Sequence, residues 1–129
     1  MARSMAAEMH SSFAALRKSH SMNIRRIFPA ADLAPDVEAD VVRILQLWAE
    51  ARARFGGEGD FLFGDWSAVD MMFAPVATRF VTYSFPVPPF AHAYMQAVIS
   101  HPHVQEWIGG AQAEDWVIEQ FEGPVAHQD

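Results

Sequence analysis

The sequence has no cysteine among its 129 residues and few basic residues. It therefore has no disulfide framework, no thiolate zinc site and no cysteine nucleophile. Nine Lys and Arg face sixteen Asp and Glu, for a formal net charge of −7. Nucleic acids and anionic membranes bind through clustered Lys and Arg that neutralise phosphates. The only adjacent arginine pair is Arg25-Arg26, so we expect neither partner.

We expect neither a secretory signal nor a membrane span. Glu8, His10 and two serines come before any long apolar run, which is unlike a signal peptide. The stretch 68–99 is rich in apolar residues, but Arg79 interrupts it and its prolines would break a spanning helix. We therefore expect a cytoplasmic protein.

No segment alternates with a period of two residues, so the sequence predicts no β-strand. Hydrophobic residues make up 51% of the chain, enough for the core of one domain. Their helical spacing predicts an all-α bundle of about five helices over residues 1–122, with a disordered tail at 123–129. The predicted helices are 2–18, 35–55, 67–82, 89–100 and one that begins at Pro102.

Two of these helices have predicted buried seams. Helix 35–55 begins with Pro35, which suits a first helical position, and ends at Gly56-Gly57. Its seam is Val37, Val41, Ile44, Trp48, Ala51 and Phe55. Helix 89–100 should turn Phe90, Tyr94, Ala97 and Val98 inward.

A capping box should begin the most apolar helix, 67–82. Ser67 stands three residues before Asp70, so the side chain of each can bond to the backbone N–H of the other. We assign both residues a structural role. Pro75 lies inside this helix and should bend it.

The sequence offers no metal site and no catalytic constellation. His101 and His103 lie two apart at a helix start and do not share a face. Arg79 lies on an otherwise apolar helix. It either pairs with a core acid or reaches the edge of the helix, or it belongs to a site. The same two interpretations, a core position or a pocket wall, remain for His10, Phe13 and Tyr83.

Phe-Leu-Phe-Gly (61–64), Trp-Ser-Ala-Val-Asp (66–70) and Ala-Pro-Val-Ala-Thr-Arg-Phe (74–80) follow one another closely. This ordered set resembles the C-terminal all-helical domain of glutathione S-transferases. Residues 6–17 resemble the first helix of that domain in bacterial members, and 101–108 resemble its last helix. The resemblance covers about residues 2–122.

The resemblance implies half of an enzyme. In that family glutathione is the co-substrate of the intact transferase and is held by a thioredoxin-like domain, which we expect to be absent from this chain. We therefore expect the chain alone to bind no cofactor and to carry no catalytic residue. The chain would contact that domain, and a homodimer is possible. What the resemblance transfers is the wall of a pocket for a hydrophobic small molecule: Met9, His10, Phe13, Arg17, Arg79 and Tyr83.

A second hypothesis comes from a different class. The chain could be a free-standing, non-catalytic helical module that binds a ligand or another protein. Its apolar surface, normally covered by the thioredoxin-like domain, would then serve this contact.

Overall fold

The computed structural model describes residues 1–20 and 27–112. Across these residues the secondary structure consists of six α-helices, one π-helical turn and isolated β-bridges between residues 61 and 65. The all-α prediction is therefore confirmed, with six helices where about five were expected. The predicted tail 123–129 lies outside the described residues. The helices are α1 (Ala2–Ser11), α2 (Ala14–Ser19), α3 (Pro35–Ala51), α4 (Ala68–Thr82), α5 (Pro89–Ser100) and α6 (Pro102–Gln112).

The prediction of one continuous helix over 2–18 was wrong, because the chain breaks between α1 and α2. Phe13 adopts a left-handed conformation, with φ 63° and ψ 34°, which interrupts the helical hydrogen bonds. This conformation costs a non-glycine residue about 1–2 kcal/mol. Two contacts offset the cost. Phe13 is buried in the core, and the Arg17 guanidinium donates to the carbonyls of Met9 and Ser12 at the end of α1.

The seam of α3 is buried as predicted from Val37 to Ala51, but Phe55 is 42% exposed. Its placement in the seam was wrong because α3 continues as a π-helical turn, Arg52–Gly56. A π-helical turn holds more residues than an α-helical one, so it rotates the following side chains away from the seam. Phe55 instead stacks on Phe63, with 5.3 Å between ring centroids.

Helix α4 is the central helix of the fold. Most of its residues are buried, and its main neighbours are α5 and α1. The Trp48 ring of α3 meets Phe73 and Phe80 of α4 at centroid distances of 5.8 and 5.5 Å. Aromatic pairs at such distances add to the free energy gained by burial. Pro75 lies inside α4, where it supplies no N–H to the helical ladder.

Helix α5 begins one residue after Pro88, and its inner face differs from the predicted one. Phe90 is 38% exposed, so its prediction as an inward residue was wrong. The buried positions are i, i+3, i+4 and i+7 from Ala91, and this stripe leaves Phe90 on the outer side of the first turn. They are Ala91, Tyr94, Met95 and Val98.

No helix in residues 1–20 and 27–112 has both the length and the apolar character needed to cross a membrane.

Candidate functional site

A cleft of about 340 Å³ lies between the α1–α2 break and α4. Three apolar side chains and two guanidinium groups line it, and the lining contains no carboxylate among the described residues. The lining residues are Met9, Arg17, Met72, Pro75 and Arg79. Three of these five, Met9, Arg17 and Arg79, are residues that the family resemblance nominated for a pocket wall. A small apolar cleft with a few polar groups is typical of ligand sites.

The break between α1 and α2 positions one side of the cleft. Met9 lies near the end of α1 and is mostly buried. Arg17 lies on α2, and its Nη2 donates to the Met9 carbonyl at 2.6 Å. The same nitrogen donates to the Ser12 carbonyl. The guanidinium therefore lies against the negative end of the α1 dipole, where a cation is stabilised.

The α2 helix is tied in turn to α3. The backbone N–H of Leu16, in the first turn of α2, donates to the Asp40 carboxylate at 3.0 Å. A carboxylate at a helix N-terminus satisfies an N–H that has no partner within the helix. This contact fixes α2 and hence the position from which Arg17 reaches the cleft.

One face of α4 forms the other side of the cleft. Met72, Pro75 and Arg79 are spaced i, i+3 and i+7, so they share a face of the helix. Sequence reasoning missed Met72 and Pro75. The signal was available, because counting back one and two turns from Arg79 gives both positions.

Arg79 pairs with a backbone carbonyl rather than with a core acid. Its Nε donates to the His20 carbonyl at 3.0 Å, at the end of α2. Burial lowers the pKa of Arg79, and the positive charge of Arg17 lowers this pKa further. Arginine nevertheless stays protonated in proteins at neutral pH. In the part of the chain that the structure describes, its two terminal nitrogens have no hydrogen-bond acceptor.

The remaining nominated residues lie elsewhere. Phe13 is in the core and does not line the cleft. Tyr83 is buried in an aromatic cluster, with its ring stacked on Phe28 at 5.4 Å and in edge contact with His20 at 4.7 Å. The side chain of His10 lies outside the described part of the structure.

Ser67 and Asp70 take part in the reciprocal arrangement of a capping box at the start of α4. The Asp70 carboxylate accepts from the Ser67 backbone N–H at 2.9 Å. It also accepts from the Tyr94 hydroxyl at 2.8 Å and the Leu62 N–H at 3.3 Å. Burial raises the pKa of Tyr94 well above its usual value, and the nearby Asp70 charge raises it further. This buried network joins α4, α5 and the turn before α4, which is a structural role.

Within residues 1–20 and 27–112, no group of three His, Asp or Glu side chains could hold a metal ion. His101 instead stacks on Trp66, with ring centroids 3.7 Å apart. The ring centroids of His103 and His101 lie 5.2 Å apart, and among the described residues the pair belongs to no group of three possible metal ligands.

A family model described as "Glutathione S-transferase, C-terminal domain" matches residues 31–110. The match runs from just before α3 into α6, so it includes the capping box and the α4 side of the cleft. Helices α1 and α2 lie outside it. Comparison of the sequence with curated proteins gave no match.

Proposed function

Because the chain belongs to the glutathione S-transferase C-terminal domain family, we propose that its cleft is the hydrophobic-substrate half of a glutathione transferase active site. The observation that carries this proposal is the cleft itself. It has a size suited to a small molecule and walls formed by Met9, Met72 and Pro75. Met9 reaches the cleft from α1 and the other two from the central helix, so the shape of the cleft depends on the packing of α1 against α4.

The proposed reaction joins glutathione to an electrophile. The thiolate sulfur attacks an electrophilic carbon, a new carbon–sulfur bond forms, and the leaving group departs with its bonding electron pair. A thioredoxin-like domain would supply glutathione and stabilise its thiolate. The present chain would hold the electrophile against apolar walls and exclude water, which orients the reacting carbon. No catalytic residue is assigned to this chain.

The thioredoxin-like domain, a homodimer, a cytoplasmic location and a role in detoxification belong to the same proposal. Val42 of α3 and Phe90 of α5 are 47% and 38% exposed, and we propose that a partner covers these two side chains. Both residues lie outside the cleft lining.

Binding of N-phenyl-1-naphthylamine, an uncharged aromatic dye, tests the cleft directly. The dye should bind the purified chain saturably, with a rise in its fluorescence. Met72→Trp should fill the cleft and weaken binding at least about tenfold, a loss of about 1.4 kcal/mol. Met71→Trp is the matched control, because Met71 immediately precedes Met72 on α4 and does not line the cleft. Absence of saturable binding, or equal losses in both variants, would contradict the proposal.

The assignment of chemistry to another domain has its own test. The purified chain should not accelerate the reaction of glutathione with 1-chloro-2,4-dinitrobenzene beyond the rate of glutathione alone. The absorbance of the conjugate measures this rate. Acceleration by the chain would show that it contributes groups to the chemistry, and the assignment would be wrong.

A further inference from the structure

We propose that Met72 is an oxidation site that controls the binding of apolar ligands in the cleft. A peroxide would convert its thioether to a sulfoxide, and the sulfoxide would close the cleft to these ligands. This inference rests on the proposed function, since it takes the same cleft as the binding site. It adds a means of regulating that site through the redox state of one side chain.

The methionines of the chain differ in their access to solvent. Three of them belong to the core and are at most 7% exposed: Met5, Met9 and Met95. Met1 and Met71 are 37% and 39% exposed, and Met72 is partly buried. A thioether must meet the oxidant to react, so exposure decides which methionines are oxidised. Among the described residues, Met72 is therefore the methionine that both lines the cleft and can be reached from solvent.

The position of Met72 on α4 makes its chemistry matter for the cleft. It shares a helix face with Pro75 and Arg79, at spacings i+3 and i+7. Met71, the preceding residue, points away from this face and does not line the cleft. An oxygen added to Met72 would change the wall, whereas an oxygen added to Met71 would not.

The proposed step transfers one oxygen atom from hydrogen peroxide to sulfur. A lone pair of the Met72 sulfur attacks a peroxide oxygen, the O–O bond breaks, and a sulfur–oxygen bond forms. The departing hydroxide takes up the proton of the transferred oxygen. The thioether is thereby oxidised by two electrons to a sulfoxide, and the peroxide is reduced to water.

A sulfoxide would change the cleft in two ways. It makes the wall polar, so an apolar ligand would cover an oxygen that water otherwise solvates, which costs free energy. The oxygen is also a hydrogen-bond acceptor, and the guanidinium groups of Arg17 and Arg79 line the same cleft. Attraction to these charged donors favours an orientation in which the oxygen lies inside the cleft. The oxidised side chain would then occupy the space of the ligand.

The fold should tolerate this modification. Met72 packs at the edge of the core and is not one of its buried members. The buried methionines are shielded from the oxidant while the chain is folded. We therefore expect oxidation to affect binding and to leave the helices intact. The change is reversible, because methionine sulfoxide reductases return the sulfoxide to the thioether.

Peroxide treatment of the purified chain tests the proposal, with N-phenyl-1-naphthylamine as the probe. Mass spectrometry of peptides locates the added oxygen, and fluorescence titration gives the affinity before and after treatment. The treated chain should bind the dye at least about tenfold more weakly, a loss of about 1.4 kcal/mol. Methionine sulfoxide reductases for both sulfoxide epimers should restore the affinity.

Two leucine variants identify the residue responsible. Met72→Leu has an apolar side chain of similar volume that peroxide does not oxidise. Its affinity should be the same before and after treatment, whatever its starting value. Met71→Leu is the matched control, because Met71 is exposed on the same helix but lies outside the cleft lining. It should lose affinity on treatment as the unaltered chain does. Far-UV circular dichroism of each treated protein should show intact helices.

The outcomes distinguish the two proposals. If the untreated chain does not bind the dye, the proposed function fails together with this inference. If the dye binds but Met72 takes up no oxygen, or takes it up without loss of affinity, the apolar site stands and the inference is wrong. Protection by Met71→Leu, a loss of affinity in treated Met72→Leu, or a loss of helical signal would also overturn it, because other methionines would then explain the effect.

Discussion

Asp70 shows how one residue joins separate parts of this fold. It has no exposed surface and accepts hydrogen bonds from Ser67, Leu62 and Tyr94. A buried charge is costly unless several donors stabilise it. Here the donors come from the turn before α4, from the N-cap of α4 and from α5. The Asp70 carboxylate is therefore stabilised only when all three elements are in place. The capping box thus organises more than the first turn of its own helix.

Ser67→Ala should lower the free energy of unfolding by about 1 kcal/mol, the usual loss for an N-cap residue. Urea unfolding followed by circular dichroism measures the loss. Ser100→Ala is the control, because Ser100 is exposed at the end of α5 and should change stability little. A Ser67→Ala variant as stable as the unaltered chain would show that the cap contributes nothing. Dye binding to the cleft should stay unchanged in both variants.

At the level of secondary structure, helical geometry is interrupted in two places where tertiary contacts outweigh the local backbone preference. The α1–α2 break places a phenylalanine in a left-handed conformation, although glycine is the usual residue there. The π-helical turn spans Arg52–Gly56. The residue that follows it, Gly57, has a positive φ of 53°. Arg52 then donates to the carbonyls of Gly59 and Phe61 and so holds the turn that leads to α4. Arginine side chains therefore stabilise both irregular segments through backbone carbonyls.

Two glycine-to-alanine substitutions should have opposite effects on stability. Gly109 lies in α6, and a Cβ there meets no described atom within 4 Å. Gly109→Ala should raise the free energy of unfolding by about 0.5–1 kcal/mol, because alanine loses less entropy in a helix. At Gly59 a Cβ would overlap the Gly64 carbonyl group. Gly59→Ala should therefore destabilise the chain by about 1–3 kcal/mol, as overpacking does.

Thermal and urea unfolding of both variants measure these effects. The pair forms its own control, since the chemical change is the same. A loss of stability in Gly109→Ala would show that α6 packs against something close to that position. A neutral Gly59→Ala would show that the turn before α4 can open without cost.

On the scale of the whole molecule, the fold depends on buried contacts more than on surface charge. Arg43 of α3 binds Glu8 of α1 through two nitrogens, at 2.8 and 2.9 Å. This hydrogen-bonded pair lowers the pKa of Glu8, but both side chains are partly exposed. Exposed pairs contribute little to stability. The centre of the core instead contains three aromatic side chains with almost no exposed surface, those of Trp48, Phe73 and Tyr94.

Tyr94 makes the stability of the whole chain sensitive to alkali. Its pKa is raised in the folded state by burial and by Asp70, so folding favours the neutral phenol. This contribution is fully present below the unfolded-state pKa of about 10 and is lost as pH rises through the higher folded-state pKa. The free energy of unfolding should therefore fall above about pH 10, more steeply than in Tyr94→Phe.

Urea unfolding at a series of pH values compares the two proteins. Tyr94→Phe should be less stable at neutral pH, because Asp70 loses a hydrogen-bond donor. The difference between the proteins should narrow as pH rises. Parallel curves above about pH 10 would show that Tyr94 does not limit alkaline stability.

Local sequence signals were enough to locate the starts of the main helices. Pro35, Ser67, Pro89 and Pro102 each mark a helix start in the structure, because a missing N–H or a capping hydroxyl acts within one turn of chain. Family resemblance also nominated Met9, Arg17 and Arg79, which come together at the cleft. Local chemistry was sufficient for the helix starts, whereas three of the six residues nominated by the resemblance line the cleft.

The helix break at Phe13, the exposure of Phe55 and the partner of Arg79 depend on tertiary packing. The break at Phe13 depends on burial of its ring and on Arg17 reaching back to α1, and no local pattern encodes either contact. Phe55 lies outside the buried seam because the helix is π-helical from Arg52 to Gly56, and this geometry shifts the angular position of the residues in the turn. Arg79 donates a hydrogen bond to the His20 carbonyl at the end of α2 rather than pairing with a core acid. Each outcome depends on contacts between side chains and backbone groups of different elements, and these contacts form only once the helices pack.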